Sequence, residues 1–327
     1  MSTDRAVPRL VALDWGTTSL RAYLLGAAGV VLDRRSESLG ILQIPGRDFA
    51  GVYRTVTKEW RQHHPGLPAI ASGMIGSAQG WIEAPYVDVP ADLDAVVRMM
   101  AVEPDTGLRI IPGLSQRGAA PDVMRGEETQ LFGAQAHSRS LAHGGRVVLP
   151  GTHSKWARIS NGRIEGFTTY MTGELFAVLR GHSILGRLAD PAAAGETAVG
   201  PGFLRGVQAA RDAPGALSSL LFSARSTVLV GDLPATESLD YLSGLLIGDE
   251  LRWALTAGDP PLAIVGDPTL GGRYVAALRE FGVRDVELLG DTGPVGLWQI
   301  GRRAFSDLQR DAGSSRRPVS GRADQLG

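Results

Sequence analysis

VALDWGTTSLRAYLL, residues 11–25, interrupts an apolar run with a cluster of polar groups and then resumes it. Residues 11–13 read as a buried strand and 22–25 as its return. Between them stand Asp14, Gly16, Thr17, Thr18 and Ser19. A tight hairpin asks only for Asn-Gly or Asp-Gly at its tip; this loop carries more hydroxyls than a turn needs. A second stretch, RVVLPGTHSKWARISNGRIEGFTT (146–169), follows the same order of strand, loop, strand, Asn-Gly turn and strand. Gly16-Thr17-Thr18-Ser19, with Ala22, aligns with Gly151-Thr152-His153-Ser154, with Ala157; Leu24 aligns with Ile159. Chance similarity between Gly/Thr turns would not also reproduce the flanking strands and the turn beyond, so an internal duplication is expected.

Around these hairpins the pattern alternates. Phe49, Val52, Val56 and Trp60 recur at helical spacing. Residues 68–77 read as a strand entering a Gly-rich loop, and 109–113 as a short strand. MRGEETQLFGAQAH (124–137) opens a helix with two carboxylates in its first turn. Further helices are expected over 172–188, within 236–255, over 269–282 and over 295–305. Strands are expected over 261–266 and 283–291, a loop over 189–201, and a disordered Ser/Arg/Gly tail over 313–327. Gly244 and Gly248 mark close helix packing near a hinge. Alternating strands and helices imply an α/β fold with mixed sheets flanked by helices in two similar lobes. The division expected is a first lobe of 1–140, a second of 141–296, a closing helix at 297–308 and a disordered tail at 309–327.

Composition narrows the class. The chain has 327 residues, 43% hydrophobic and 20% charged, which fits a globular protein. A formal net charge of -1 argues against a wide basic face for nucleic acid. The absence of cysteine excludes disulfides, thiolate metal sites and a thiol nucleophile. No metal-ligand spacing links the histidines. The opening MSTDRAVPRL lacks an apolar signal core, and no apolar run reaches the roughly 20 residues that span a bilayer, so no membrane role and a cytoplasmic location are expected. Of 33 basic residues only Lys58 and Lys155 are lysines, which makes each of them informative.

Two Gly-Thr loops, one per lobe, suit a polyphosphate gripped from opposite sides, because glycine admits close backbone approach and exposed N–H groups and hydroxyls cradle phosphate oxygens. Gly16, Thr17, Thr18, Gly151 and Thr152 form the expected cradle. Asp14 has no counterpart in the second loop, where Leu149 stands. It is a candidate to hold Mg²⁺ beside the phosphates, although a turn-capping Asp would look the same.

With these motifs in place, the paired loops resemble the sugar kinase, Hsp70 and actin superfamily of two-lobed ATPases. DWGTTSLRAYL resembles its first phosphate motif, PGTHSKW its second and AIVGDPTLGGRY its adenosine motif. The chain to about residue 305 is similar to the 2-dehydro-3-deoxygalactonokinase family through SGMIGS, GW and APY, RGEETQL, LPGTHSKW, TGEL, LSGLLIG, GRY and GDTG in that order. The resemblance implies ribonuclease-H-like lobes with ATP in the cleft between them. It also implies Mg²⁺ and phosphorylation of a small sugar acid, 2-dehydro-3-deoxy-D-galactonate, on its 6-hydroxyl. Two departures stand out: PGTHSKW has no Asp to serve as base, and the adenosine loop carries Asp267-Pro268 where small residues are usual.

Phosphoryl transfer needs positioning and charge neutralisation. Lys155 is expected to neutralise phosphate charge, and His153 to donate to a phosphate oxygen or to bond its own loop. Glu127 and Glu128 complement the macrodipole of their helix; one of them is also expected to orient the acceptor hydroxyl or a metal-bound water. Arg125 and Arg21 compete to bind the substrate carboxylate. Ser72 and Met74, with Trp81 and Tyr86, are expected to line the acceptor pocket. Glu174 reads as a capping residue behind a Thr172 N-cap. Gly266, Thr269 and Gly271 are expected to approach the adenosine, with Gly290, Asp291 and Thr292 at a nearby strand end. A homodimer is left open. The competing readings are a phosphohydrolase of the same superfamily, which would release phosphate without an acceptor, and a non-catalytic nucleotide switch, which would carry an added peptide-binding domain.

Overall fold

The computed structural model describes residues 7–188, 199–213, 215–255, 262–305 and 308. In chain order the strands begin with β1 (Leu10–Trp15), β2 (Leu20–Leu25), β3 (Val31–Glu37), β4 (Ala69–Ser72), β5 (Tyr86–Asp88), β6 (Ala101–Val102) and β7 (Arg109–Ile110). They continue as β8 (Gly113–Gln116), β9 (Asp122–Met124), β10 (Gly144–Leu149), β11 (Ser154–Ser160), β12 (Arg163–Tyr170), β13 (Leu262–Val265) and β14 (Val286–Gly290). The first five helices are α1 (Phe49–His63), α2 (Leu93–Arg98), α3 (Glu127–His137), α4 (Thr172–His182) and α5 (Pro201–Asp212). The others are α6 (Leu217–Leu220), α7 (Ser223–Leu229), α8 (Ser238–Ala254), α9 (Pro268–Glu280) and α10 (Gly293–Ala304). Among the described residues no helix is long and apolar enough to cross a membrane.

One compact unit comprises the described residues of Met1–Pro85, Leu93–Pro112 and Leu297–Gly327. Its sheet runs β3-β2-β1-β4-β7-β6. The first three strands form an antiparallel meander, and β4 and β7 add in parallel. Helix α1 starts where the Asp48 carboxylate accepts from the Gly51 N–H at 2.7 Å, a side-chain N-cap. Its Phe49, Tyr53, Val56 and Trp60 recur at helical spacing and bury one apolar stripe among Val11, Leu13 and Trp15. Each large side chain in that stripe stabilises the unit by about 2 kcal/mol.

The other unit comprises the described residues of Tyr86–Asp92 and Gly113–Gly296. Its main sheet runs β12-β11-β10-β13-β14, and a smaller sheet runs β5-β8-β9. The meander β10-β11-β12 turns at Asn161 and Gly162, both at positive φ (48° and 81°), as the Asn-Gly pair predicts. Strands β13 and β14 add in parallel. The duplication read from sequence is therefore also a duplication of strand order: β3-β2-β1-β4-β7 matches β12-β11-β10-β13-β14. The two hairpins differ by one residue in register. Asp14 pairs with Arg21, whereas the aligned Leu149 pairs with Lys155, not Trp156.

Several expectations are amended. The first lobe was drawn to residue 140, but β8, β9 and α3 group with the second unit. They do so because β8 pairs with β5 and β9, and because α3 packs closely on the loop before α10: a Cβ on Gly133 would lie 2.0 Å from the Thr292 carbonyl. Helices α5, α6 and α7 occupy a stretch the sequence reading left unassigned. The closing helix spans Gly293–Ala304, earlier than the expected 297–308. Gly244 and Gly248 do serve close packing: added Cβ atoms would meet the Phe203 carbonyl at 2.1 Å and Ala210 Cβ at 2.8 Å. Most of the loop expected over 189–201, and all of the tail expected over 309–327, lie outside the described residues.

Candidate active site

In the first unit, the loop after β1 holds Gly16 partly buried and Thr17, Thr18 and Ser19 exposed. Its backbone is fixed. The Gly16 N–H donates to the Ser19 carbonyl, and the Gly16 and Thr17 carbonyls accept from the Ile41 and Leu42 N–H groups. Gly40 makes this possible, since a Cβ there would sit 2.3 Å from the Thr17 carbonyl and the Thr18 nitrogen. Gly40→Ala is accordingly expected to displace the loop and, if the loop receives nucleotide as the sequence implies, to raise the KM for nucleotide at least tenfold while the unit stays folded. Steady-state kinetics with circular dichroism on the variant checks this. Asp14 and Ser72 are register partners at the ends of β1 and β4. The Arg21 guanidinium donates to Asp14 Oδ2 at 3.4 Å, with both side chains partly exposed. Gly73 (φ 95°) turns the chain beside the Trp15 carbonyl, and Met74 follows, half-buried.

In the second unit, Thr152 and His153 are exposed and Ser154 and Lys155 are buried. Helix α4 starts directly on this loop. A Cβ on Gly173 would lie 2.4 Å from the Gly151 carbonyl, and the Glu174 N–H donates to the Thr152 carbonyl at 2.9 Å. His153 Nε2 lies 2.5 Å from Glu174 Oε2, so a carboxylate holds the histidine that sequence left open. Thr172 is not the N-cap expected of it; its hydroxyl donates to Glu250. Lys155 was expected to meet phosphate. Only 5% exposed, its ammonium donates to the Val123 carbonyl at 2.7 Å and to Thr169 Oγ1 at 2.6 Å, 4.0 Å from Asp122. Asp122, which no sequence signal singled out, in turn accepts from the Thr169 N–H and hydroxyl, both at 2.7 Å.

Glu127 and Glu128 open α3 after Gly126, whose φ of 111° turns the chain into the helix. Both reach back to N–H groups ahead of the helix: Glu127 Oε2 accepts from Arg125 at 2.9 Å and Glu128 Oε2 from Gly126 at 2.7 Å. Their surroundings separate them. Glu128 is fully buried, and burial, with the neighbouring Glu127 charge, pushes its carboxyl up to about 7. Burial also raises Glu127, but the Lys155 charge pulls it back down, and its side chain is only partly covered. Arg125 stacks its guanidinium 4.3 Å over the Tyr86 ring.

The Glu128 carboxyl has a stability consequence. The folded state holds that proton more tightly than the unfolded chain, so the stabilisation is fully present below about 4.5 and is lost as pH rises through about 7. Wild type is expected to lose melting temperature between pH 5 and pH 8. Glu128→Gln, a neutral isostere, is expected to flatten that slope and to melt higher than wild type at pH 8; parallel thermal melts across pH test it.

A cavity of about 480 Å³ opens in the second unit beside the second loop, lined by Gly151, Gly173, Asp240, Thr269, Arg273 and Tyr274 among others. Asp267-Pro268, the departure from the adenosine motif, is a helix start. Asp267 caps α9 by accepting from the Thr269 and Leu270 N–H groups, and Pro268 takes the first helical position, where its missing N–H costs nothing. Of the three expected adenosine residues, Thr269 lines the cavity. Gly266 donates its N–H to Gly290, and Gly271 packs against the sheet, where a Cβ would lie 2.6 Å from Leu288.

Comparison with known proteins identifies the family. The family model described as 2-keto-3-deoxy-galactonokinase matches residues 14–300. A curated relative from Rhizobium meliloti (strain 1021), named "Probable 2-dehydro-3-deoxygalactonokinase", is 40% identical over 83% of this chain and 89% of its own. The 2-dehydro-3-deoxygalactonokinase of Escherichia coli (strain K12) is 36% identical over 91% of this chain and 97% of its own. A crystal structure of a "putative 2-dehydro-3-deoxygalactonokinase protein" from Sinorhizobium meliloti superposes with a TM-score of 0.83 at 37% identity, covering 90% of this chain and 99% of that one. The match spans both Gly-Thr loops, the α3 carboxylates and the cavity-lining helices: this chain belongs to the 2-keto-3-deoxy-galactonokinase family of sugar-acid kinases.

Proposed function

We propose that the protein transfers the γ-phosphoryl group of ATP to the 6-hydroxyl of 2-dehydro-3-deoxy-D-galactonate, a step of D-galactonate breakdown in the cytoplasm. The observation that carries this reading is kinship with two curated kinases of that name over most of all three chains.

Residue roles follow from chemistry. Glu127 is the general base: it is the less buried of the two α3 carboxylates, and the Lys155 charge favours its ionised form. It takes the proton from the acceptor hydroxyl as the oxygen attacks phosphorus. Glu128, held near neutrality in the interior, fixes the start of α3. Lys155 is reassigned from phosphate to Glu127, because its ammonium is committed to protein oxygens. Arg125, preorganised by its stack on Tyr86, binds the substrate carboxylate bidentately. Arg21 acts instead on Asp14. The Gly-Thr loop of each unit is a phosphate-binding element, through Thr17 and Thr18 in one unit and Thr152 and His153 in the other, and the cavity beside Thr269 takes the adenosine.

Asp14 fits Mg²⁺. It is partly exposed, its pair with Arg21 is as long as 3.4 Å, and it supplies a carboxylate of the kind a phosphate-bound ion takes from protein. The ion would neutralise phosphate oxygens. Measuring ADP release from ATP and Mg²⁺ with and without the sugar acid tests the proposal. Release that depends on the sugar acid supports it, and equal release without it supports the phosphohydrolase instead.

A further inference from the structure

Glu250 is a buried carboxylate with no part in the chemistry above. It lies on α8 in helical step with Leu242 and Leu246, and is 2% exposed. A charge there is costly unless it is bonded on every side. Its Oε1 accepts from Trp156 Nε1 at 2.7 Å; its Oε2 accepts from the Tyr274 hydroxyl at 2.7 Å and from the Thr172 hydroxyl. The Tyr274 hydroxyl also lies 2.8 Å from Ser154 Oγ. Burial pushes the Glu250 carboxyl up, and these hydroxyl and indole donors pull it back.

The partners are not scattered. Ser154 ends the second loop. Thr172 precedes Gly173, which touches the Gly151 carbonyl; Tyr274 is on α9, the helix that Asp267 caps. Thr172, Gly173, Gly151 and Tyr274 all line the cavity. A single carboxylate on α8 therefore ties together three of its walls: loop, α4 and α9.

We propose that Glu250 is a positioning residue for the nucleotide, holding the second loop, the first turn of α4 and helix α9 in the arrangement that receives it. This rests on the reading that the cavity binds nucleotide. A site assembled before binding spares the ligand the ordering of its walls, so loosening the tie lowers affinity without touching a direct contact. In Glu250→Gln the Thr172 and Tyr274 hydroxyls accept from an amide instead of donating to a carboxylate, and the weaker neutral bonds loosen both walls.

Calorimetric titration with ADP tests this on wild type, Glu250→Gln, Tyr274→Phe and the double variant, together with the KM for the sugar acid. The expected result is a Kd for ADP raised about tenfold in each single variant. The double variant should be no weaker than the poorer single, because both break one network, and the acceptor KM should be unchanged. Wild-type ADP affinity in the single variants, additive losses in the double, or an equal rise in acceptor KM would overturn the inference. If Glu250→Gln does not fold, Trp156→Phe, which removes a donor to Glu250 from outside the cavity lining, decides by the same affinities. Failure of wild type itself to bind ADP would sink the nucleotide reading, a result distinct from wild-type binding shared by all variants.

Discussion

Glu127→Gln is expected to stop transfer to the sugar acid, with kcat falling about 10²- to 10⁴-fold, the range a positioned general base supplies. The fold should survive. The Glu127 oxygen that accepts from the Arg125 N–H has a counterpart in the glutamine carbonyl, and α3 keeps its Glu128 anchor on Gly126. Nucleotide affinity should stay near wild type, because the loss lies in proton removal. The pH profile gives a second reading of the same residue. Burial raises the Glu127 carboxyl, and the base works only when ionised, so kcat/KM should fall as pH drops through a value above the ordinary carboxylate range. Glu128→Gln should leave that acid limb in place. Stopped-assay kinetics across pH on the three proteins measures it, and a Glu127→Gln variant with wild-type kcat would remove the residue from the base role.

Asp14→Asn is expected to cost about 10³-fold in kcat/KM, in keeping with the several kcal/mol that metal-held charge neutralisation contributes to a phosphoryl-transfer transition state. Its side chain sits at the end of β1, whose pairing with β2 and β4 is made by backbone, so an isosteric amide should fold. The loss should show as a raised Mg²⁺ requirement. Titrating the rate with Mg²⁺ at fixed ATP should give an activation midpoint well above wild type. An unchanged midpoint would place the ion elsewhere and leave Asp14 as the partner of Arg21.

Much of this was legible in the chain, and what was not has physical reasons. The two Gly-Thr loops disclosed the duplication because strand periodicity and turn chemistry are local, and the matching strand orders carry the same pattern into three dimensions. The two α3 glutamates could have been separated from sequence. Around the helix Glu128 falls between Leu131 and Phe132, both buried, while Glu127 falls outside that arc, about 140° from Phe132. Asp267-Pro268 likewise looked like a departure from a family pattern but spells an N-cap followed by a first-turn proline. Lys155 was out of reach. Its fate depends on Asp122 and Val123, some thirty residues earlier, and on a one-residue register difference between hairpins that align without a gap. Gly40 was missed for the same cause: nothing in its own neighbourhood says that the Thr17 backbone will pass within contact of it. Glu250 did leave a trace, as a lone carboxylate on the apolar face of α8, but its partners come from three other elements.

The most direct test of the central claim follows the γ-phosphoryl group itself, by ³¹P NMR of wild-type protein with ATP, Mg²⁺ and 2-dehydro-3-deoxy-D-galactonate. Transfer to the 6-hydroxyl predicts that the γ-phosphate signal is replaced, in step with ADP, by a phosphomonoester resonance coupled to the methylene protons at C6. Growth of inorganic phosphate in its place, at the same rate with or without the sugar acid, would contradict it.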